Sequence, residues 1–411
     1  MTTQLDTVAK DRRTLPGRFL AWLAGNTFSA LGDAVVYFAL GWAATAHGGR
    51  WTGVVLTAIV VPRVLLSIFG GVVGDRLGAR AVMLTSNAAM ITVAFAASVA
   101  TLGTPVWLLL TVAALIGIVD AFYLPSSGSM PRRLMDSSQL ARGMALQQIA
   151  TTSTRFSGPA LGGLIVAAAG VAGAALFDAA TFAVMLLVMV VIRPRHEPAS
   201  PAAGRDILTE ALDGLRVVAR EPLLRALLAL VACAAGFLLP VFSMLIPLLA
   251  REHNWTASVT GLAVGAQSLG VAVVAIYVLG KGTLAWPGIV AATGLLASGL
   301  ITALLAMADT PWAAGVAAFA AGVGAGFFTT HIAPLILGSA PRSHLSRVQA
   351  ILLMAQSVPL LATNNLLGWV ASAWGTTTAI TISAATITLT SLIALTSHSL
   401  RTANRTSTEA S

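Results

Sequence analysis

Apolar runs of about 20 residues recur along the whole chain, and they restrict the fold more than any other feature. A helix of that length crosses the roughly 30 Å hydrocarbon core of a bilayer. Because every backbone N–H and C=O must be paired within its own segment in lipid, the runs predict transmembrane α-helices. Only 9% of the 411 residues are charged, whereas a soluble domain carries roughly 25%. The sequence therefore predicts an all-α polytopic membrane protein.

Twelve transmembrane helices are predicted, and the charges of the connections give their orientation. Most of the 24 Lys and Arg residues fall in connections that lie on one side if the chain starts inside. The positive-inside rule then places both termini in the cytoplasm. We expect the protein in the cell (inner or cytoplasmic) membrane. The predicted starts are near Phe19, Trp51, Ala81, Pro105, Gly143, Ala174, Leu223, Ser258, Pro287, Trp312, Val348 and Thr376.

The spans divide into two halves that resemble each other. We predict a cytoplasmic tail (1–18), a six-helix bundle (19–192), a cytoplasmic linker with an amphipathic helix (193–222), a second six-helix bundle (223–398) and a disordered tail (399–411). Pro125 and Pro131 near the end of span four correspond to Pro334 and Pro341 near the end of span ten. Two bundles related by a pseudo-two-fold axis along the membrane normal are typical of transporters with a midplane site.

The stretch "GGVVGDRLGARAV" between spans two and three has the spacing G-x-x-x-D-R-x-G-x-R. It resembles the signature loop of the major facilitator superfamily, and the twelve-span plan extends this resemblance over the chain. The resemblance implies the major facilitator fold and a latch in which the loop aspartate pairs with the loop arginine and faces a helix end of the second half. Ala79 stands where a basic residue is usual, which implies a weaker latch. The matching positions are Gly71, Asp75, Arg76, Gly78 and Arg80.

Further stretches of the first half, among them "RFSGPALGGLIV" and "FDAATFAV", are similar to the macrolide-efflux and enterobactin-exporter branch of that superfamily. This similarity implies export of small molecules driven by proton entry. "GPALGG" also resembles the core of the antiporter motif, with Gly158, Pro159, Gly162 and Gly163 at the matching positions. Close helix packing explains the same glycines, so both interpretations stay open.

Ionisable side chains inside spans are candidates for proton coupling, because each costs about 2.5 to 3.5 kcal/mol at the bilayer centre on insertion scales. Asp33 is the first candidate for the proton carrier, and Asp120 is the second, with Arg155 or Arg63 as its counter-ion. His331 titrates near neutrality when unperturbed. The alternative is that these residues form permanent pairs that fix helix packing. The full set is Asp33, Asp120, Asp178, Arg63, Arg155 and His331.

The polar and aromatic residues within the cavity-lining spans of such transporters are candidates for substrate contact. They are Asn26, Tyr37, Gln147, Phe242, Gln267 and Asn364.

The sequence offers no phosphate-cradling Gly-Lys-Ser/Thr loop, no metal-ligand spacing and no recognisable catalytic constellation, so we expect no cofactor and no enzyme activity. Its basic residues lie in short loops, which argues against nucleic acid as a partner. We predict a monomer whose partners are protons, a small molecule and the lipid bilayer. The predicted function is proton-driven export of an amphipathic drug, antibiotic, secondary metabolite or siderophore. A nutrient importer or uniporter, and a non-transporting receptor or assembly factor, remain alternatives.

Overall fold

The computed structural model describes residues 15–100, 105–194, 221–339 and 345–402. Every regular element in these ranges is helical, as the apolar runs predict. The helices of the first half are α1 (Gly17–Thr45), α2 (Gly49–Leu77), α3 (Ala79–Ala100), α4 (Val106–Leu134) and α5 (Ser137–Val191). Those of the second half are α6 (Pro222–Glu252), α7 (Ala257–Lys281), α8 (Pro287–Leu305), α9 (Pro311–Ser339), α10 (Leu345–Trp374), α11 (Thr376–Thr396) and the short α12 (His398–Thr402).

Helix α5 contains two predicted spans in one 55-residue element. At 1.5 Å per residue an unbroken helix of this length would be about 80 Å long, more than twice the thickness of the hydrocarbon core. Its backbone breaks at Gly170, whose φ of 65° is the left-handed conformation that glycine adopts without a steric penalty. Eleven helices of the described ranges are long and apolar enough to cross a membrane. Counting the two arms of α5 separately, 137–169 and 171–191, gives the twelve segments of the prediction.

Helix α6 changes its winding in the middle of the span. It begins as an α-helix (Pro222–Cys233), passes through two π-helical turns (Ala234–Leu238 and Val241–Leu245) and ends as an α-helix (Ile246–Glu252). Pro240 lies between the two π-helical turns, and proline supplies no N–H for the regular ladder. Wide turns of this kind leave backbone carbonyls outside the regular pattern and are frequent at functional sites.

The chain forms two compact units. Unit 1 contains the described residues of Met1–Ala39 and Val61–Ser200, and unit 2 contains those of Leu40–Val60 and Pro201–Ser411. The sequence analysis assigned residues 40–60 to the first bundle, whereas their contacts place them in unit 2. The predicted amphipathic helix of the linker and the end of the C-terminal tail lie outside the described residues.

Small residues explain why the end of α2 that starts at Gly49 belongs to unit 2. Gly49 approaches the backbone of Gly368, and Gly53 approaches the backbone of Asn364, both on α10. At neither glycine is there room for a Cβ atom. Such close backbone contact is how helices associate in lipid, where apolar surface alone gives no driving force.

A packed core of unit 1 lies where α1 begins. Phe19 and Trp22 of α1 are fully buried there against Met83, Met130 and Met189 of three other helices. Methionine fills irregular gaps between helices because its side chain is unbranched and flexible. This core anchors the first turns of α1 and leaves the middle of the helix for polar groups.

Candidate functional site

Five ionisable side chains converge in the middle of unit 1. Asp33 and Tyr37 lie one helical turn apart on α1, so they share a face of that helix. Arg63 comes from α2 and Asp120 from α4. Asp178 comes from the second arm of α5. These five residues are called the acidic cluster below.

Asp120 is the paired acid of the cluster. Its side chain is buried, and its Oδ2 lies 3.7 Å from Nη1 of Arg63. The Tyr37 hydroxyl donates a 2.5 Å hydrogen bond to the same Oδ2. Sequence analysis left two counter-ions open, and the geometry selects Arg63. Arg155 is exposed on α5 and makes no ion pair with the described residues.

Asp33 and Asp178 are the acids without a cation of their own. Asp178 is 1% exposed, and Asp33 is half-buried. The Oδ1 atom of each is buried and has no hydrogen-bond partner within the described residues. Asp33 lies in the electrostatic field of Asp178, Asp120 and Arg63. Sequence reasoning listed Asp178 among the ionisable residues of the spans but chose only Asp33 and Asp120 as proton carriers, because the hydropathy of a span does not reveal which way one of its side chains points.

Glycines bring the helices of the cluster together. Gly70 of α2 lies against the backbone of Ala121, the residue after Asp120, with no space for a Cβ atom. Gly158 of α5 lies against the Cβ of Ala34, the residue after Asp33. These contacts hold α2 and α5 close to the acids that α4 and α1 contribute.

The antiporter-like motif faces α1. A Cβ on Gly162 would lie 3.2 Å from the Phe38 side chain and from the Val35 carbonyl oxygen. Gly163 is buried, and Pro159 stands inside the helix between the glycines. The motif therefore has a packing role beside the cluster, and its part in antiport stays a prediction.

The predicted cavity residues of unit 1 are polar groups near the cluster. Asn26 accepts hydrogen bonds through Oδ1 from the Tyr123 hydroxyl (3.1 Å) and the Ser127 hydroxyl (2.8 Å). Gln147 has a buried Oε1 without a partner among the described residues. An apolar groove of about 370 Å³ runs along the same part of α1 and α5, a size within the range of small-molecule sites. The groove is lined by Leu20, Leu23, Ala24, Thr27, Phe28, Leu31, Leu146 and Ala150.

The predicted cavity residues of unit 2 have differing environments. Phe242 is buried within the second π-helical turn of α6. Gln267 is half-buried on α7, where Gly322 of α9 touches its backbone. Asn364 of α10 is buried, and its Oδ1 has no partner within the described ranges. Substrate contact by these residues remains a prediction.

His331 of α9 is fully buried in unit 2, and backbone groups hold both of its ring nitrogens. The backbone N–H of Leu284 donates to Nε2 over 3.0 Å, so Nε2 carries no proton. The proton is then on Nδ1, which lies 2.9 Å from the Phe327 carbonyl oxygen. This geometry makes His331 a tether for the connection between α7 and α8.

The signature loop is a one-residue turn between α2 and α3. Gly78 has a φ of 86°, which suits a glycine at a helix end, and Asp75 and Arg76 are exposed. Arg80 donates to the carbonyl oxygens of Met189, Val190 and Ile192 at the end of α5. A cation is favourable at the carbonyl end of a helix. Gly71 has open space beside it.

Comparison with known proteins agrees with this architecture. The sequence profile of the Major Facilitator Superfamily matches residues 15–362. The multidrug efflux pump Tap of Mycolicibacterium fortuitum is 24% identical over 292 residues, which cover 66% of this chain and 70% of that protein. The multidrug resistance protein MdtG of Citrobacter koseri is 23% identical over 339 residues, which cover 80% of this chain and 82% of that protein.

Solved structures share the fold at low identity. The nucleoside transporter NupG superposes with a TM-score of 0.70 at 15% identity, over 92% of this chain and 98% of that one. A POT family transporter in complex with 5-aminolevulinic acid gives a TM-score of 0.73 at 13% identity, over 92% and 96% of the two chains. A D-xylose-proton symporter gives 0.69 at 11% identity, over 92% and 96%. One fold thus serves transporters whose named substrates differ widely.

Proposed function

We propose that this chain, which belongs to the Major Facilitator Superfamily, exports an amphipathic small molecule in exchange for protons. The acidic cluster is the single observation that carries the proposal. The names of the relatives Tap and MdtG support the export of drugs. The fold by itself supports no substrate, since the same fold is found in transporters of other compounds.

The charge balance of the cluster favours proton binding. The cluster has three carboxyl groups, those of Asp33, Asp120 and Asp178, and among the described residues Arg63 is the one cation paired with any of them, namely with Asp120. Unpaired charge is expensive within a membrane, and binding of protons removes it. A group that is neutral in one conformation and charged in another ties the gain or loss of a proton to a structural change.

Alternating access follows if protons and substrate favour different conformations. A ligand shifts a conformational equilibrium only through its difference in affinity for the two states. The groove beside α1 and α5 offers apolar surface, and Asn26 and Gln147 are polar residues of the same two helices. This mixture suits an amphipathic molecule and provides few fixed partners for a sugar or a charged metabolite.

The proposal includes a location and excludes catalysis. We place the protein in the cell membrane as a monomer with both termini in the cytoplasm, and we give it no cofactor other than the proton gradient. Two alternatives differ from this proposal in what they move. A nutrient importer moves its substrate in the opposite direction. A receptor or assembly factor moves no substrate at all.

Reconstituted vesicles test these possibilities with ethidium, a fluorescent lipophilic cation, and an internal pH dye. With an acidic interior, we expect ethidium to accumulate while protons leave, and we expect a protonophore, which lets the protons leave without the transporter, to abolish the accumulation. Asp33→Asn should remove accumulation yet leave downhill ethidium exchange. Asp309→Asn is the matched control, because Asp309 is a 91% exposed acid in unit 2. Ethidium and protons moving in the same direction, or no movement of ethidium, would contradict the proposal.

A further inference from the structure

We propose that Asp33 and Asp178 form one proton-holding carboxyl pair, so that Asp178 is a second residue of the proton site. The proposal deepens the proposed function, because it rests on the proton-coupled step. It concerns unit 1 alone.

Gly32 shows how closely Asp178 approaches α1. A methyl group at position 32 would lie 2.6 Å from Oδ1 and 3.2 Å from Cα of Asp178, and it would also overlap the Thr181 hydroxyl. The Asp178 carboxyl group therefore occupies the space beside the backbone of α1 that a side chain at position 32 would fill. Asp33 is the next residue of α1 after Gly32, so Asp178 of α5 lies beside the turn of α1 that carries Asp33.

Local bonds fix the backbone around Asp178 but leave its carboxyl group unpaired. The Thr181 hydroxyl donates to the Asp178 main-chain carbonyl oxygen over 2.8 Å. No hydrogen bond from the described residues reaches the buried Oδ1 of Asp178, and the same is true of Asp33. Each of the two acids thus has a buried acceptor without a donor, which is an expensive arrangement unless a proton supplies the missing donor.

The remaining ionisable groups around the pair are already engaged. Arg63 and the Tyr37 hydroxyl both serve Asp120. Tyr123 donates to Asn26. Within the described residues of unit 1, neither Asp33 nor Asp178 forms an ion pair with a cation.

One proton resolves this arrangement. Two neighbouring carboxylates cannot both ionise without strong repulsion, and the first proton they bind belongs to the pair rather than to either residue. A proton on one acid can be donated to the oxygen of the other, which supplies the donor that both Oδ1 atoms lack. Loss of that proton leaves two negative charges on α1 and on the second arm of α5, so deprotonation pushes these helices apart.

Labelling with dicyclohexylcarbodiimide tests the pair without any substrate. The reagent adds to protonated carboxyl groups in apolar surroundings, and mass spectrometry locates the adduct. For the purified full-length protein near pH 7, we expect about one adduct per chain, divided between Asp33 and Asp178, and none at Asp120. In Asp178→Asn the remaining acid no longer faces a second carboxyl group, so labelling of Asp33 should fall about tenfold, the effect of one pH unit. Asp33→Asn should lower the labelling of Asp178 in the same way.

Two further variants extend the test, and the unfolding midpoint of each is measured beside its labelling. Asp309→Asn should label as the wild type does. Gly32→Ala changes no charge but forces the Asp178 carboxyl group away from α1, so it should also reduce the labelling of Asp33. Any of three results would overturn the proposed carboxyl pair. These are independent labelling of both acids, unchanged labelling of Asp33 in Asp178→Asn, and no adduct at either acid. A different result would contradict the proposed function and not the carboxyl pair. That result is ethidium movement in vesicles that does not depend on the proton gradient.

Discussion

Removal of the Arg63 guanidinium should destabilise unit 1 measurably. The charges of Arg63 and Asp120 are 3.7 Å apart, and Coulomb's law at an effective dielectric constant of about 20 gives about 4 kcal/mol for such a pair. The Arg63 side chain is 27% exposed, which weakens the pair, and Tyr37 keeps its bond to Asp120 after the change. For Arg63→Gln we expect the free energy of unfolding to fall by about 2 to 4 kcal/mol, mainly because Asp120 is left buried and unpaired.

Unfolding in detergent micelles provides the measurement. The nine tryptophans give an intrinsic fluorescence signal, and titration with denaturant gives the midpoint for each variant. Arg63→Gln combined with Asp120→Asn removes both charges, so the double variant should recover at least half of the lost stability. Arg155→Gln is the matched control, since Arg155 is an exposed arginine of a membrane helix, and its effect should stay within about 0.5 kcal/mol. The pairing would be refuted if Arg63→Gln changed the free energy of unfolding by less than about 0.5 kcal/mol. It would also be refuted if the double variant were less stable than Arg63→Gln.

Two other substitutions test the packing of the site and the role of the buried histidine. Gly70→Ala should lower the unfolding midpoint and proton-driven ethidium transport together, because its methyl group collides with the Ala121 backbone, whereas Gly71→Ala has open space and should change neither. His331→Gln should cost about 1 to 3 kcal/mol of stability through lost bonds to backbone groups such as the Leu284 N–H. The pH profile of transport should keep its shape in this variant; a shifted profile in vesicles would return His331 to the proton pathway.

The acidic cluster joins α1 to the other helices of unit 1 that contribute to it. Two of the five ionisable groups belong to α1, and the other three come from helices held close by glycines. Gly32 and Gly158 show that the second and first arms of α5 both touch α1 next to Asp33. A change of charge at Asp33 therefore acts directly on the packing between α1 and both arms.

The positions of the membrane helices were readable from the sequence. Hydropathy over about 20 residues is a local property, and lipid requires each such segment to satisfy its own backbone as a helix. The one-residue turn at Gly78 and the break at Gly170 need a left-handed backbone that glycine adopts without strain. The family resemblance carried by the loop at residues 71–80 is likewise a property of contiguous sequence.

Only the tertiary structure decided which charges meet. Arg63 and Arg155 are equivalent to a sequence analysis, since each is a lone arginine within an apolar span, yet only Arg63 contacts Asp120. Asp178 joined the cluster because Gly32 lets its helix approach α1, and residues 40–60 joined unit 2 because Gly49 and Gly53 fit against α10. Helical periodicity fixes which residues of one helix share a face, whereas the partner of that face depends on contacts between segments far apart in the chain.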